Sequence, residues 1–247
     1  MSEPQEDSFI SHLVELRDRL LRAVVAVVAI FVCLMPWAGD IYDILAHPMM
    51  TALPEGTKMI ATGVVTPFFV PMKVTLLVAF VIALPFVLYQ AWCFIAPGLY
   101  AHEKRLGLPL VVGSTVLFLA GMAFCYFFVF GTVFKFIAQF APKSITPAPD
   151  IEQYLAFVMS MFLAFGITFE VPVIVIVLVK LGIVDVAKLK EARPYVIVGA
   201  FVIAAVVTPP DVVSQLMLAV PMCLLYELGI FLSRFVTRTR ADEVASG

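Results

Sequence analysis

This sequence predicts an all-α, polytopic membrane protein with six transmembrane helices, and three observations carry the prediction. Hydrophobic residues make up 62% of the 247-residue chain and charged residues only 14%, whereas soluble domains run near half apolar and a quarter charged. Six apolar runs follow one another, most of them comparable to the roughly 20 helical residues that a bilayer core of about 30 Å requires. The basic residues between those runs fall overwhelmingly on one side.

The runs lie at about 23–38, 73–95, 107–130, 153–179, 194–208 and 213–232. With the N-terminus inside, one face receives the N-terminal segment, the 96–106 and 180–193 loops and the tail. That face carries Arg17, Arg19, Arg22, Lys104, Arg105, Lys180, Lys188, Lys190, Arg193, Arg234, Arg238 and Arg240, leaving Lys58, Lys73, Lys135 and Lys143 for the other. The asymmetry is the positive-inside pattern and predicts that both termini are cytoplasmic. The acidic, polar start MSEPQEDSF argues against a cleaved signal peptide. One integral membrane domain is therefore expected: a cytoplasmic segment over 1–22, a helical bundle over 23–232 and a cytoplasmic tail over 233–247.

Two parts of this plan are irregular. Residues 39–72 contain DIYDILAHPMM, with Ile41, Ile44 and Leu45 at helical spacing, and the proline-punctuated TPFFVPMK; they predict a structured outer cap at the interface. After the third span, VFKFIAQF continues as an amphipathic helix and stops in a proline-rich turn. The last two spans look short. Residues 194–208 cover only about 22 Å as a helix, so the bilayer beside them must thin or be covered by a partner.

The composition excludes several functions. The net charge of −2 makes no case for nucleic acid. The cysteines (33, 93, 125, 223) form no CxxC pair and read as small hydrophobes. There is no HExxH, no GxSxG elbow and no phosphate-cradling glycine loop. No catalytic residue, metal site or cofactor is expected, and nothing marks the chain as an enzyme.

Polar residues inside the spans stand out instead. Glu170, in FGITFEVP, lies deep in the fourth run beside Pro172. A lipid-facing carboxylate there costs several kcal/mol at least, which leaves two readings: a protonated clamp to a neighbouring helix, or a group facing a water-filled concavity or a partner helix. Thr208, Asp211 and Gln215 cluster before and within the start of the sixth run. Asp211 can simply cap that helix, while Gln215 is placed to seek a partner across helices. The inner face holds a further pair. Glu15 can reach Arg19 and Asp18 can reach Arg22 at i,i+4, and Glu103 belongs to the same membrane face as Glu15.

Four motifs, HLVELRDRLL (12–21), FIAPGLYAHEKR (94–105), FGITFEVP (165–172) and TPPDVVSQ (208–215), resemble the TatC family in that order. The resemblance implies a receptor and core scaffold of the twin-arginine protein translocase of a bacterial-type inner membrane, exporting folded proteins on the protonmotive force. By motif position, Glu15 and Glu103 would receive the arginine pair of a signal peptide, Phe94 would shape the site and Arg17 would support the first segment. TatA-like and TatB-like single-span subunits would dock near Thr208 and Gln215 in a multi-copy complex. A concave bundle open around Glu170 would accept the apolar part of the signal peptide. The alternative from the residues alone is a secondary transporter of a small solute with Glu170 as its proton site.

Overall fold

The computed structural model describes residues 3–52, 59–95, 104–140, 148–208 and 211–245. Helix α1 spans Glu3–Leu34 and passes through a 3₁₀ turn, Met35–Trp37, into α2, Ala38–Ala52. Pro36 sits in the first turn of that 3₁₀ segment, and its missing N–H leaves the Val32 carbonyl without a donor four residues on, which is where α1 gives way to the tighter turn. The helical path thus runs beyond the expected end at 38, and its apolar stretch is His12–His47. Next come α3, Thr66–Ile95, and α4, Lys104–Phe124. A five-residue π-helical turn, Cys125–Val129, joins α4 to α5, Phe130–Phe140. Then follow α6, Ile151–Phe169; α7, Val171–Lys180; the short α8, Val186–Glu191; α9, Arg193–Val207; and α10, Val212–Ala245.

Five helical stretches are long and apolar enough to cross a membrane, and α9, at 15 residues, is the shorter sixth. The chain is a multi-pass membrane protein. The last span departs from expectation: α10 does not end with its apolar run but continues as helix, with a membrane-compatible stretch of 23 residues from Val212 to Arg234. Only α9 is short. Among the described residues the single β pairing is one parallel bridge between Ile60 and Asp150.

Two compact units emerge, Met1–Tyr42 with Pro71–Thr115, and Asp43–Val70 with Val116–Gly247. In the first, Val74, Ala79 and Leu84 of α3 are buried. The Trp92 indole N–H donates to the Ser114 hydroxyl at 2.9 Å, both side chains being buried. A polar pair can be enclosed there because each group is matched.

In the second unit α10 packs along α7 and α9. A core of Val175, Leu189, Tyr226 and Ile230 forms beneath α8, whose Leu189 carbonyl accepts from the Tyr226 hydroxyl at 2.7 Å. Helix α7 ends in a Schellman arrangement: the Gly182 N–H bonds Val179 O, the Ile183 N–H bonds Leu178 O, and Gly182 takes φ 72°. Phe130, Phe134, Phe157 and Phe162 pack together at ring separations of 5.2–5.8 Å, Phe130 stacked on Phe134 and the other pairs tilted or edge-on. Two glycines let helices close up reciprocally. A Cβ on Gly166 would lie 2.4 Å from the Phe118 ring, and one on Gly121 would lie 2.5 Å from the Phe165 carbonyl oxygen. Gly166 is therefore a close-packing position.

Ile60 and Thr62, within the segment for which an outer cap is expected, are clamped to residues at the start of α6 in the second unit. Ile60 N–H bonds Pro149 O, and Ile151 N–H bonds Ile60 O. Asp150 N-caps α6, its Oδ1 accepting from the amides of Glu152 and Gln153. Its Oδ2 accepts from both the amide and the hydroxyl of Thr62. These bonds, the Thr62 hydroxyl foremost, hold the Asp150 carboxyl below the usual carboxylate range.

Candidate recognition site and the intramembrane polar positions

Glu15 and Arg19 are one helical turn apart on α1. Arg19 Nε and Nη2 both donate to Glu15 Oε1, at 2.9 and 2.6 Å, while Oε2 takes part in neither bond. Arg19 Nη1 also lies 3.5 Å from the Oε1 of Gln90, a buried side chain on α3. Four residues on from Gln90, the half-buried Phe94 ring stacks on His12 at 4.4 Å and 17°. The α1 face bearing His12, Glu15 and Arg19 thus lies along the α3 face bearing Gln90 and Phe94. An open depression of about 340 Å³ is lined by Val14, Glu15, Asp18, Arg19 and Arg22.

Asp18 does not bridge to Arg22 as its spacing allows. Its Oδ1 accepts from Nε and Nη2 of Arg17 at 3.0 and 2.9 Å. Both partners are exposed, and a long, flexible guanidinium can reach an adjacent carboxylate as readily as one a turn away. Glu103 lies outside the described residues. Neither Gln90 nor His12 is singled out by the sequence alone. The available signal was Gln90 standing four residues before Phe94, and His12 three before Glu15.

Glu170 is the residue between α6 and α7, and it is buried. Pro172 occupies the first turn of α7, so the helical ladder is interrupted at Glu170. The Glu170 N–H bonds Ile167 O, and its carbonyl accepts from Ile174 N–H.

Thr208 is buried at the end of α9 and donates its hydroxyl to Ala204 O at 2.8 Å. Asp211 caps α10, with Oδ1 accepting from the Ser214 amide at 2.7 Å. Gln215 Nε2 lies 3.3 Å from Phe201 O, tying α10 to α9. Asp211 Oδ2 and the fully buried Ser214 Oγ have no hydrogen-bond partner among the described residues. At the start of α9, Arg193 pairs with Glu227, midway along α10, at 2.7 Å. That bond explains how the carboxylate that interrupts the sixth apolar run is accommodated. Of the cysteines, Cys93 and Cys125 are buried, Cys223 is partly so and Cys33 is exposed. Among the described residues no cluster of ligands could hold a metal ion.

Residues 11–221 match the family model described as Sec-independent protein translocase protein (TatC). The chain belongs to the TatC family. A Sec-independent protein translocase protein TatC of Haemophilus influenzae is 52% identical over 241 residues, covering 98% of this chain and 94% of that protein. The protein of the same description from Escherichia coli K12 is 50% identical over 235 residues, covering 95% and 91%. A solved structure described as the twin arginine translocase receptor TatC superposes with a TM-score of 0.80 at 40% identity, covering 92% of this chain and 99% of that one. This family member is a component of a Sec-independent translocase, and the solute-transporter alternative draws no support from its relatives.

Proposed function

We propose that this chain is the receptor that binds signal peptides carrying two consecutive arginines, in a bacterial-type inner membrane with both termini cytoplasmic. The observation that carries the reading is the Glu15–Arg19 pair. A carboxylate at the head of the first span already accepts a guanidinium fork, and it does so through one oxygen only. Guanidinium and carboxylate meet bidentately with strong directional bonds, which a lysine ammonium does not reproduce. Two carboxylates, Glu15 and Glu103, would select two arginines, with Arg19 releasing Glu15 when a ligand arrives. Phe94 would form an apolar edge of the site, and Arg17 would steady the exposed start of α1 through Asp18.

The apolar segment of the signal peptide would then enter the bundle toward Glu170, and export of folded cargo would draw on the protonmotive force. Single-span subunits of the TatA and TatB type would dock on α9 and α10. Support comes from two exposed apolar stripes at i,i+4,i+8: Val198, Val202 and Val206 on α9, and Leu216, Val220 and Leu224 on α10. Thr208, Asp211 and Gln215 lie at the joint of these two helices and would fix the docking register.

The test is photo-crosslinking of a twin-arginine precursor to membranes containing the Glu15→Ala, Glu103→Ala double variant. Loss of the crosslink with an intact complex is expected. An undiminished crosslink would overturn the assignment.

A further inference from the structure

We infer that His12, stacked on Phe94, forms an aromatic platform that receives a guanidinium of the signal peptide and helps the site prefer arginine to lysine. The inference rests on the receptor reading above and deepens it. His12 precedes Glu15 by three residues, about 4.5 Å along the helix, so ring and carboxylate share one face of α1. The imidazole and the Phe94 ring lie almost parallel, 4.4 Å apart. His12 is exposed, so the stack stands at the surface beside the carboxylate. Gln90 and Arg19 close the same seam further into the helix pair.

The chemistry distinguishes the two basic side chains. A guanidinium is planar and weakly hydrated, so it can lay its face on an aromatic ring while its edge meets a carboxylate. An ammonium is compact and strongly hydrated and gains less from a flat ring. A carboxylate beside a ring pair therefore offers arginine two simultaneous contacts and lysine mainly one. His12 would act as a specificity-determining residue, and Phe94 would support it by fixing the imidazole plane.

The experiment uses the full-length chain purified in its complex and labelled signal peptides bearing Arg-Arg or Lys-Arg. The readout is the ratio of the two dissociation constants for wild type, His12→Phe and His12→Leu, with thermal melting recorded for each protein. His12→Phe keeps a flat ring and should retain the wild-type ratio. His12→Leu keeps bulk without a π face, and should weaken Arg-Arg binding by about fivefold and narrow the ratio similarly, as for an exposed cation–π contact. Phe94→Leu should narrow it in the same direction. An unchanged ratio in His12→Leu, or equal losses in His12→Phe and His12→Leu, would overturn the inference. If wild type itself does not discriminate Arg-Arg from a Lys-Lys control, the receptor reading fails instead, so the two failures are separable.

Discussion

Asp150 holds Thr62 through a single carboxylate oxygen, Oδ2, which lies 2.7 Å from the hydroxyl and 3.0 Å from the amide. The other oxygen caps α6, so one side chain both starts a span and fastens the segment before α3 to it. All of these bonds favour the ionised form, and the folded-state carboxyl is held below its ordinary value of about 3.9. A depressed acid contributes stability that is fully present above the unfolded pKa and is lost as pH falls through the folded one. Hydrogen exchange is the measurement. The Thr62 and Gln153 amides should be protected near pH 7 and lose protection below about pH 4. Asp150→Ala should remove it at both pH values, and Thr62→Val should spare Gln153. Equal protection of wild type at pH 3 and pH 7 would sink the idea.

A second link concerns a proline inside a helix. Pro48 lies in α2 and has no N–H for the Ile44 carbonyl four residues earlier. The Tyr126 hydroxyl, at the π-helical turn, donates to that carbonyl at 3.1 Å. The neighbouring Leu45 carbonyl accepts from Tyr154 at 2.9 Å. Tyr126→Phe should cost about 1 kcal/mol, the net worth of one hydrogen bond. In a Pro48→Ala background the backbone supplies the missing donor, so the same change should cost much less. A double-mutant cycle on melting of the purified protein reads the coupling, and strictly additive costs would refute the link.

The reciprocal glycines predict an asymmetry. Alanine at Gly166 would meet the Phe118 ring, a side chain that a compensating change can shorten, whereas alanine at Gly121 would meet the Phe165 backbone. Overpacking of this kind costs about 1–3 kcal/mol. Phe118→Leu should therefore rescue much of the loss in Gly166→Ala and none of the loss in Gly121→Ala. Thermal melting of the four proteins decides it; rescue of both, or of neither, would contradict the packing described.

These contacts separate what a linear reading can reach from what it cannot. The spans follow from composition and run length, and the Glu15–Arg19 pair from i,i+4 spacing, because both depend on a single helix. The break at Glu170 was equally local, written in Pro172. Gly121, Gly166 and the Tyr126–Ile44 bond depend on which helices lie side by side, and no spacing within one segment reports that. His12 and Gln90 gained meaning only once α1 was seen to lie along α3. The length of α10 escapes sequence for another reason: the helix continues past Arg234, where the apolar run has ended, so run length alone underestimates it.

Arg19 carries the last prediction. It occupies Glu15 Oε1 with two donors, and its side chain is 23% exposed against 41% for Glu15. Pairs this open to solvent are worth about 0–1 kcal/mol, so an incoming arginine displaces Arg19 at a cost of no more than about fivefold in affinity. Gln90 Oε1, 3.5 Å from Nη1, offers the displaced guanidinium a second acceptor. Removing the occupant should therefore tighten binding. Arg19→Gln is expected to bind an Arg-Arg signal peptide about two- to fivefold more strongly than wild type, and Gln90→Leu somewhat more weakly, because Arg19 then returns to Glu15 with less competition. Fluorescence titration of the purified complex measures both. Weaker binding by Arg19→Gln would mean that Arg19 contacts the peptide directly, and its role as an occupant displaced from Glu15 would have to be abandoned.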